Sequence, residues 1–171
     1  VSEEFAARFG RRHPAVDTHR CDDAEYVLVM IGSFATKARD AVDRLREAGW
    51  RVGLARLRLV RPFPVQAIRA ALVGRRAVAV IDQNLSIGKG GILHAEVASA
   101  LYGVDGAPPI LASFVGGLGG RDIGPEELFE IARVLRTASE SGKTPPPRLL
   151  FTADELRETR KLQAIAHVER H

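Results

Sequence analysis

Residues 77–103 read AVAVIDQNLSIGKGGILHAEVASALYG, and they set out the strand–helix alternation that runs through residues 25–136. The first six are apolar up to Asp82, the pattern of a strand covered on both faces. A glycine-rich loop follows. Leu93, Val97, Ala100 and Leu101 then recur at helical spacing, and Gly103 closes the helix. A buried strand feeding a helix across a short loop is one half of a parallel βαβ unit.

The same unit recurs on either side. Residues 26–32 (YVLVMIG) form another continuous apolar run, followed by a helix on Ala38, Ala41, Val42, Leu45 and Ala48, with Ser33 expected as its cap and Gly49 as its end. Residues 51–60 read as a strand with Leu57 and Leu59 on one side and Arg56 and Arg58 on the other. A helix on Val65, Ile68 and Leu72 comes next, with Pro64 suited to its first turn. Residues 109–115 (PILASFV) make the fourth strand, and Pro125, Glu126 and Glu127 open a helix carrying Leu128, Ile131 and Leu135. Alternation of this kind predicts an α/β fold, a three-layer αβα sandwich around a mostly parallel sheet. The expected domain spans residues 25–136. Residues 1–24 read as an irregular connector from an upstream region, 137–147 as a linker and 148–171 as a helix-prone tail.

The chain has 171 residues, 46% hydrophobic and 27% charged, enough for one ordinary core and too apolar for a disordered segment. Its net charge of +4 is spread among acids, and only 6% of residues are aromatic, which argues against nucleic acid as a partner. One cysteine, Cys21, excludes an internal disulfide and a cysteine-held cluster. No apolar run approaches membrane-spanning length and no leader pattern opens the chain, so a cytoplasmic location is expected.

Candidate chemistry sits in the loops. Gly88, Lys89, Gly90 and Gly91 run into a helix whose first amides could hold an anion. The phosphate-loop pattern fails at Gln83 and at Gly90, however, and the dinucleotide fingerprint fails at Leu93. A tight turn explains the glycines more simply. In residues 115–127 the helix begins with two glutamates that complement its dipole and would repel a phosphate. Arg121 and Asp122 there are expected to pair with each other or with a neighbouring subunit. Asp82 ends a strand on the edge where open sheets bind ligands, and it suits a turn or cap equally. The five histidines show no metal-ligand spacing, no serine sits in a nucleophile elbow, and no catalytic residue or metal ligand emerges.

Residues 58–64 (RLVRPFP) pose a separate question. Pro62 is expected to hold Arg61 extended, Phe63 to fill the corner, and Pro64 to start the next helix. Arg56, Arg58 and Arg61 would then stand in fixed positions suited to carboxylate or phosphate partners.

Four stretches, DAEYVLVMIGS (23–33), GWRVGLARLRLVRPFP (49–64), residues 77–103 and FVGGLGGRDIGPEEL (114–128), occur in an order that resembles one known domain. It is the transketolase C-terminal-like domain in the alpha subunit of pyruvate:ferredoxin oxidoreductase and related 2-oxoacid:ferredoxin oxidoreductases, and the resemblance covers residues 9–135. It implies a thiamine diphosphate enzyme complex that oxidatively decarboxylates a 2-oxoacid, passes electrons through iron–sulfur clusters to ferredoxin and forms acyl-coenzyme A. Thiamine diphosphate, magnesium and the clusters would belong to partners: a pyrimidine-binding domain and beta, gamma and ferredoxin-like subunits of a hetero-oligomer. This chain would supply structure and subunit contacts through Arg56, Arg58, Arg61, Phe63, Arg121 and Asp122, and would be inactive alone. The alternatives are the matching domain of another thiamine enzyme and a stand-alone anion- or nucleotide-binding module.

Overall fold

The computed structural model describes residues 2–151 together with 154, 155, 157, 158 and 161. Its four long strands are β2 (Tyr26–Ile31), β3 (Val52–Leu57), β4 (Ala77–Asp82) and β5 (Ile110–Val115). They alternate with α2 (Phe34–Glu47), α3 (Val65–Leu72), α4 (Ile92–Leu101) and α5 (Pro125–Ser141). Shorter elements among the described residues include α1 (Ser2–Phe9), β1 (Val16–His19), a 3-10 turn at Leu118–Gly120 and β6 (Arg148–Leu149). The six-stranded sheet runs β1-β3-β2-β4-β5-β6, and every pairing is parallel except the antiparallel β1–β3 edge.

Period-two alternation sorts the strand side chains into two cores. Leu28, Met30, Leu54, Ile81 and Phe114 join α2 and α5 on one face. Val27, Val29, Ala55, Leu57, Val78 and Val80 join α3 and α4 on the other. The fold is therefore the expected αβα sandwich. α2 ends in a Schellman arrangement at Gly49, where the amides of Gly49 and Trp50 reach the carbonyls of Arg46 and Leu45, both at 2.9 Å.

Several local expectations need correction. Ser33 precedes α2 in helical geometry and its hydroxyl makes no capping bond. The strand expected to reach residue 60 stops at Leu57, because the amides of Arg58 and Leu59 both turn onto the carbonyl of Ala15, at 2.9 and 3.2 Å. Arg61 is therefore not the last residue of a strand, and the Arg61–Pro62 bond is cis. α5 continues through Thr137 to Ser141, a stretch read as linker from its polar composition, because Ala138 is still buried against the core.

The lead-in is also more ordered than its composition suggests. β1 lies along β3 with Val16 opposite Leu57, and ion pairs tie this end of the chain to one face of α2. Asp17 pairs with Arg39 at 3.0 Å, His19 and Arg20 with Asp43 at 3.1 and 2.9 Å, and Asp23 with Arg46 at 2.8 Å. Arg20 holds the Asp43 carboxyl below the usual range, and Arg46 does the same for Asp23. Within the tail, residues 154, 155, 157, 158 and 161 have helical backbone. Residues 148–151 depart from that expected helix, since Arg148–Leu149 pair with β5 as β6 and the next two residues are not helical, and the remaining tail residues lie outside the described ones.

Candidate functional site

Because β2 to β5 run parallel, the loops leaving their carboxyl ends emerge along one edge of the sheet. The chain winds outward in opposite directions from β2 and β4, which makes their carboxyl ends the switch point where open α/β sheets usually take ligands. All the sequence-derived candidates fall on the loops of this edge or beside them. Arg56, Arg58, Arg61 and Phe63 lie at the β3–α3 corner, residues 88–91 between β4 and α4, and Arg121 and Asp122 between β5 and α5.

The switch point is closed by the chain itself. Gln83 donates its side-chain amide to the carbonyl of Ile31 at 3.0 Å and so bridges the ends of β2 and β4. Asp82 is 1% exposed and accepts the amides of Leu93 at 2.7 Å and His94 at 3.1 Å. These are the first-turn donors of α4 that an external anion would need. Burial pushes the Asp82 carboxyl above its usual range, while the two amides and His94 pull against the rise. A side chain at position 91 is incompatible with this cap, since a Cβ on Gly91 would stand 2.0 Å from Asp82 Oδ2. The acid at the end of the strand is thus a long-range helix cap.

The remainder of residues 83–92 forms a compact turn. The amides of Lys89 and Gly90 both donate to the Ser86 carbonyl at 3.0 Å, and Ser86 donates to the Gly90 carbonyl at 2.9 Å. Asn84 Oδ1 accepts the Ile92 amide at 3.2 Å. Gly88 and Gly90 take φ of +75° and +80°, so the glycines serve the turn. The turn holds Leu85, Ile87 and Ile92 toward solvent at 50%, 99% and 47% exposure, a feature the sequence reading missed. Three large aliphatics in a glycine-rich loop were the available signal.

At the other candidates, the pairing differs from expectation. Arg121 and Asp122 do not pair with each other: Arg121 pairs with Glu155 at 2.7 Å and Asp122 with Lys37 at 2.6 Å. Lys37 keeps the Asp122 carboxyl below its usual range. Arg61 pairs with Glu96 of α4 at 2.7 Å, Arg58 lies 3.6 Å from Asp17, and Phe63 packs against the core on the α3 and α4 face. His94 Nε2 sits 3.4 Å from the Leu111 carbonyl. Cys21 is buried with its thiol on the Leu54 carbonyl, and burial pushes its pKa up.

Neither a metal nor a diphosphate suits these residues. Among the described residues no group of three or more His, Cys, Asp or Glu is placed to hold a metal ion. At the switch point Asp82 would repel a phosphate from the helix start. No helix among the described residues is long and apolar enough to cross a membrane.

Comparison with known proteins adds the family. The family described as "Pyruvate:ferredoxin oxidoreductase core domain II" matches residues 24–128. The chain is 43% identical to the pyruvate synthase subunit PorA of Thermotoga maritima over 75% of its length and 32% of the relative's. It is 38% identical to the ketoisovalerate oxidoreductase subunit VorA of Pyrococcus horikoshii over 84% of its length and 36% of the relative's. The chain therefore spans about a third of the length of the curated relatives it matches. Two solved structures share the fold at 17% identity. A 2-oxoglutarate:ferredoxin oxidoreductase from Magnetococcus marinus aligns over 80% of this chain and 21% of its own, with TM-score 0.50. A split-gene transketolase aligns over 78% and 44%, with TM-score 0.51.

Proposed function

The chain belongs to the family of pyruvate:ferredoxin oxidoreductase core domain II, and from that premise we propose that it is an assembly domain of a 2-oxoacid:ferredoxin oxidoreductase. In this reading the complete enzyme uses thiamine diphosphate, magnesium and iron–sulfur clusters to convert a pyruvate-type oxoacid into acyl-coenzyme A in the cytoplasm. The pyrimidine-binding domain and the beta, gamma and ferredoxin-like subunits hold those groups. This chain holds none of them and is inactive alone.

The observation that carries the reading is the self-closed carboxyl edge. Gln83 and Asp82 occupy the switch point where a ligand would otherwise bind. A chain that spends these donors and acceptors internally keeps its edge rigid and offers outer side chains to other proteins. The contact residues in this proposal are Arg56, Arg58, Arg61, Phe63, Arg121 and Asp122. The Arg58 and Arg61 side chains are 40% and 64% exposed while anchored at a fixed corner, a suitable arrangement for carboxylates on another chain. The candidate anion site at residues 88–91 is less favoured, since Asp82 engages the amides it requires.

The test is reconstitution. The purified chain is titrated with the thiamine-binding polypeptides of the same enzyme, and Arg58→Ala/Arg61→Ala is expected to weaken association by about tenfold or more. Undiminished association of the double variant would remove the arginine corner from the contact. Oxoacid turnover by the chain alone would overturn the reading.

A further inference from the structure

Ile87 is 99% exposed, yet it is not on a loose loop. The Ser86–Gly90 bonds pin the turn beneath it, and Asn84 and Asp82 fasten both ends to α4. Leu85 and Ile92, each about half exposed, broaden its base. A rigid turn has already lost its conformational freedom, so the apolar area it carries is available for binding at little further entropic cost. Residues 83–95 contain no acid and one cation, Lys89, for which no partner is present among the described residues. The nearest acid along α4, Glu96, is engaged by Arg61.

We propose that this loop is an apolar knob that seats in another protein chain of the assembly, in an apolar socket rimmed by carboxylates that receive Lys89. The inference rests on the assembly reading above and gives it a contact distinct from the arginine corner. Charge complementarity selects the socket: an acidic rim meets a loop that is cationic and has no acid to repel it. A lipid surface is the poorer occupant. Anchoring at an anionic bilayer draws on clustered cations, and this loop has one.

The test uses the full chain and the purified thiamine-binding polypeptides, with affinity read by biolayer interferometry. Ile87→Asp is expected to weaken association at least tenfold. Lys89→Glu is expected to weaken it more than Lys89→Gln, with the gap shrinking at high salt. Because Ile87 touches solvent on nearly all sides, its variant should keep the wild-type melting temperature, so lost affinity is not lost folding. Wild-type binding with both variants unaffected overturns the knob and leaves the assembly reading standing. Failure of the wild type to bind overturns the assembly reading, and the knob with it. Self-association of the wild-type chain that Ile87→Asp abolishes, seen by sedimentation velocity, would reassign the socket to a second copy. Co-sedimentation with phosphatidylserine vesicles, lost in the same variant, would reassign it to a membrane.

Discussion

Two glycine-rich loops run into helices on the same edge of the sheet, and they start those helices by different means. At α5 the cap is local: Glu127, three residues in, accepts the Gly124 amide at 2.9 Å, and Pro125 opens the first turn. At α4 the cap is remote: Asp82, at the end of the preceding strand, receives amides eleven and twelve residues along the chain. The local cap is part-buried and confined to one loop–helix junction. The remote one is buried, binds strand to helix, and dictates a residue without a side chain at position 91. A cap that reaches back to the strand makes the strand–helix junction rigid, whereas a local cap only starts a helix.

That contrast can be broken in order of effect. Gly91→Ala should be the most damaging, since its methyl would occupy the space of the Asp82 carboxylate; a loss of about 3 kcal/mol in urea unfolding is expected. Retention of wild-type stability would mean that the junction is softer than its geometry. Asp82→Ala strands two amides and should cost about 2 kcal/mol, with Asp82→Asn milder because one acceptor remains.

The same residue sets a pH dependence. Burial raises the Asp82 pKa in the folded chain, so on acidification the folded form takes up the proton before the unfolded form does. The stability linked to this group is complete at low pH and is lost as pH rises through the folded value. Asparagine does not titrate. As pH falls through the raised folded value toward the ordinary carboxylate range, the stability difference should therefore shift in favour of the wild type over Asp82→Asn, and a constant difference across urea melts spanning neutral pH to that range would contradict the assignment.

At the local cap, Glu127→Ala should cost about 1 kcal/mol or less, visible as a small fall in thermal midpoint. Smallest of all, Lys37→Ala removes the exposed pair with Asp122 and should leave the midpoint within experimental scatter. A larger fall there would show that the second loop depends on that pair.

The two caps also mark where sequence reading succeeds. Gly124, Pro125, Glu126 and Glu127 are contiguous, so the start of α5 was legible as a string. β2 and β4 were equally legible, because burial on both faces imposes an unbroken apolar run, whereas β3 was read through the alternation of Leu57 and Leu59 with Arg56 and Arg58 and its end was placed at residue 60 instead of Leu57. Asp82 could be seen at a strand end, but nothing in the string says which amides fold back to it. β1 escaped for a related reason: its partner β3 is some forty residues away, and VDTH is too short to establish alternation. The last turn of α5 was hidden by polar residues on its outer face, Ala138 alone marking the buried side. The resemblance supplied the family. Periodicity by itself ends at an α/β sandwich, since the same unit serves many functions.

The lengths of the outermost strands have a consequence for how the molecule can associate. One flank of the sheet ends in a four-residue strand bearing ion-paired Asp17 and His19, the other in a two-residue strand. Such flanks are poor templates for recruiting a foreign strand. Continuation of the sheet from one polypeptide into the next is thereby discouraged on both sides, and this geometry directs association toward loops and helix surfaces, where side-chain identity sets the choice of neighbour.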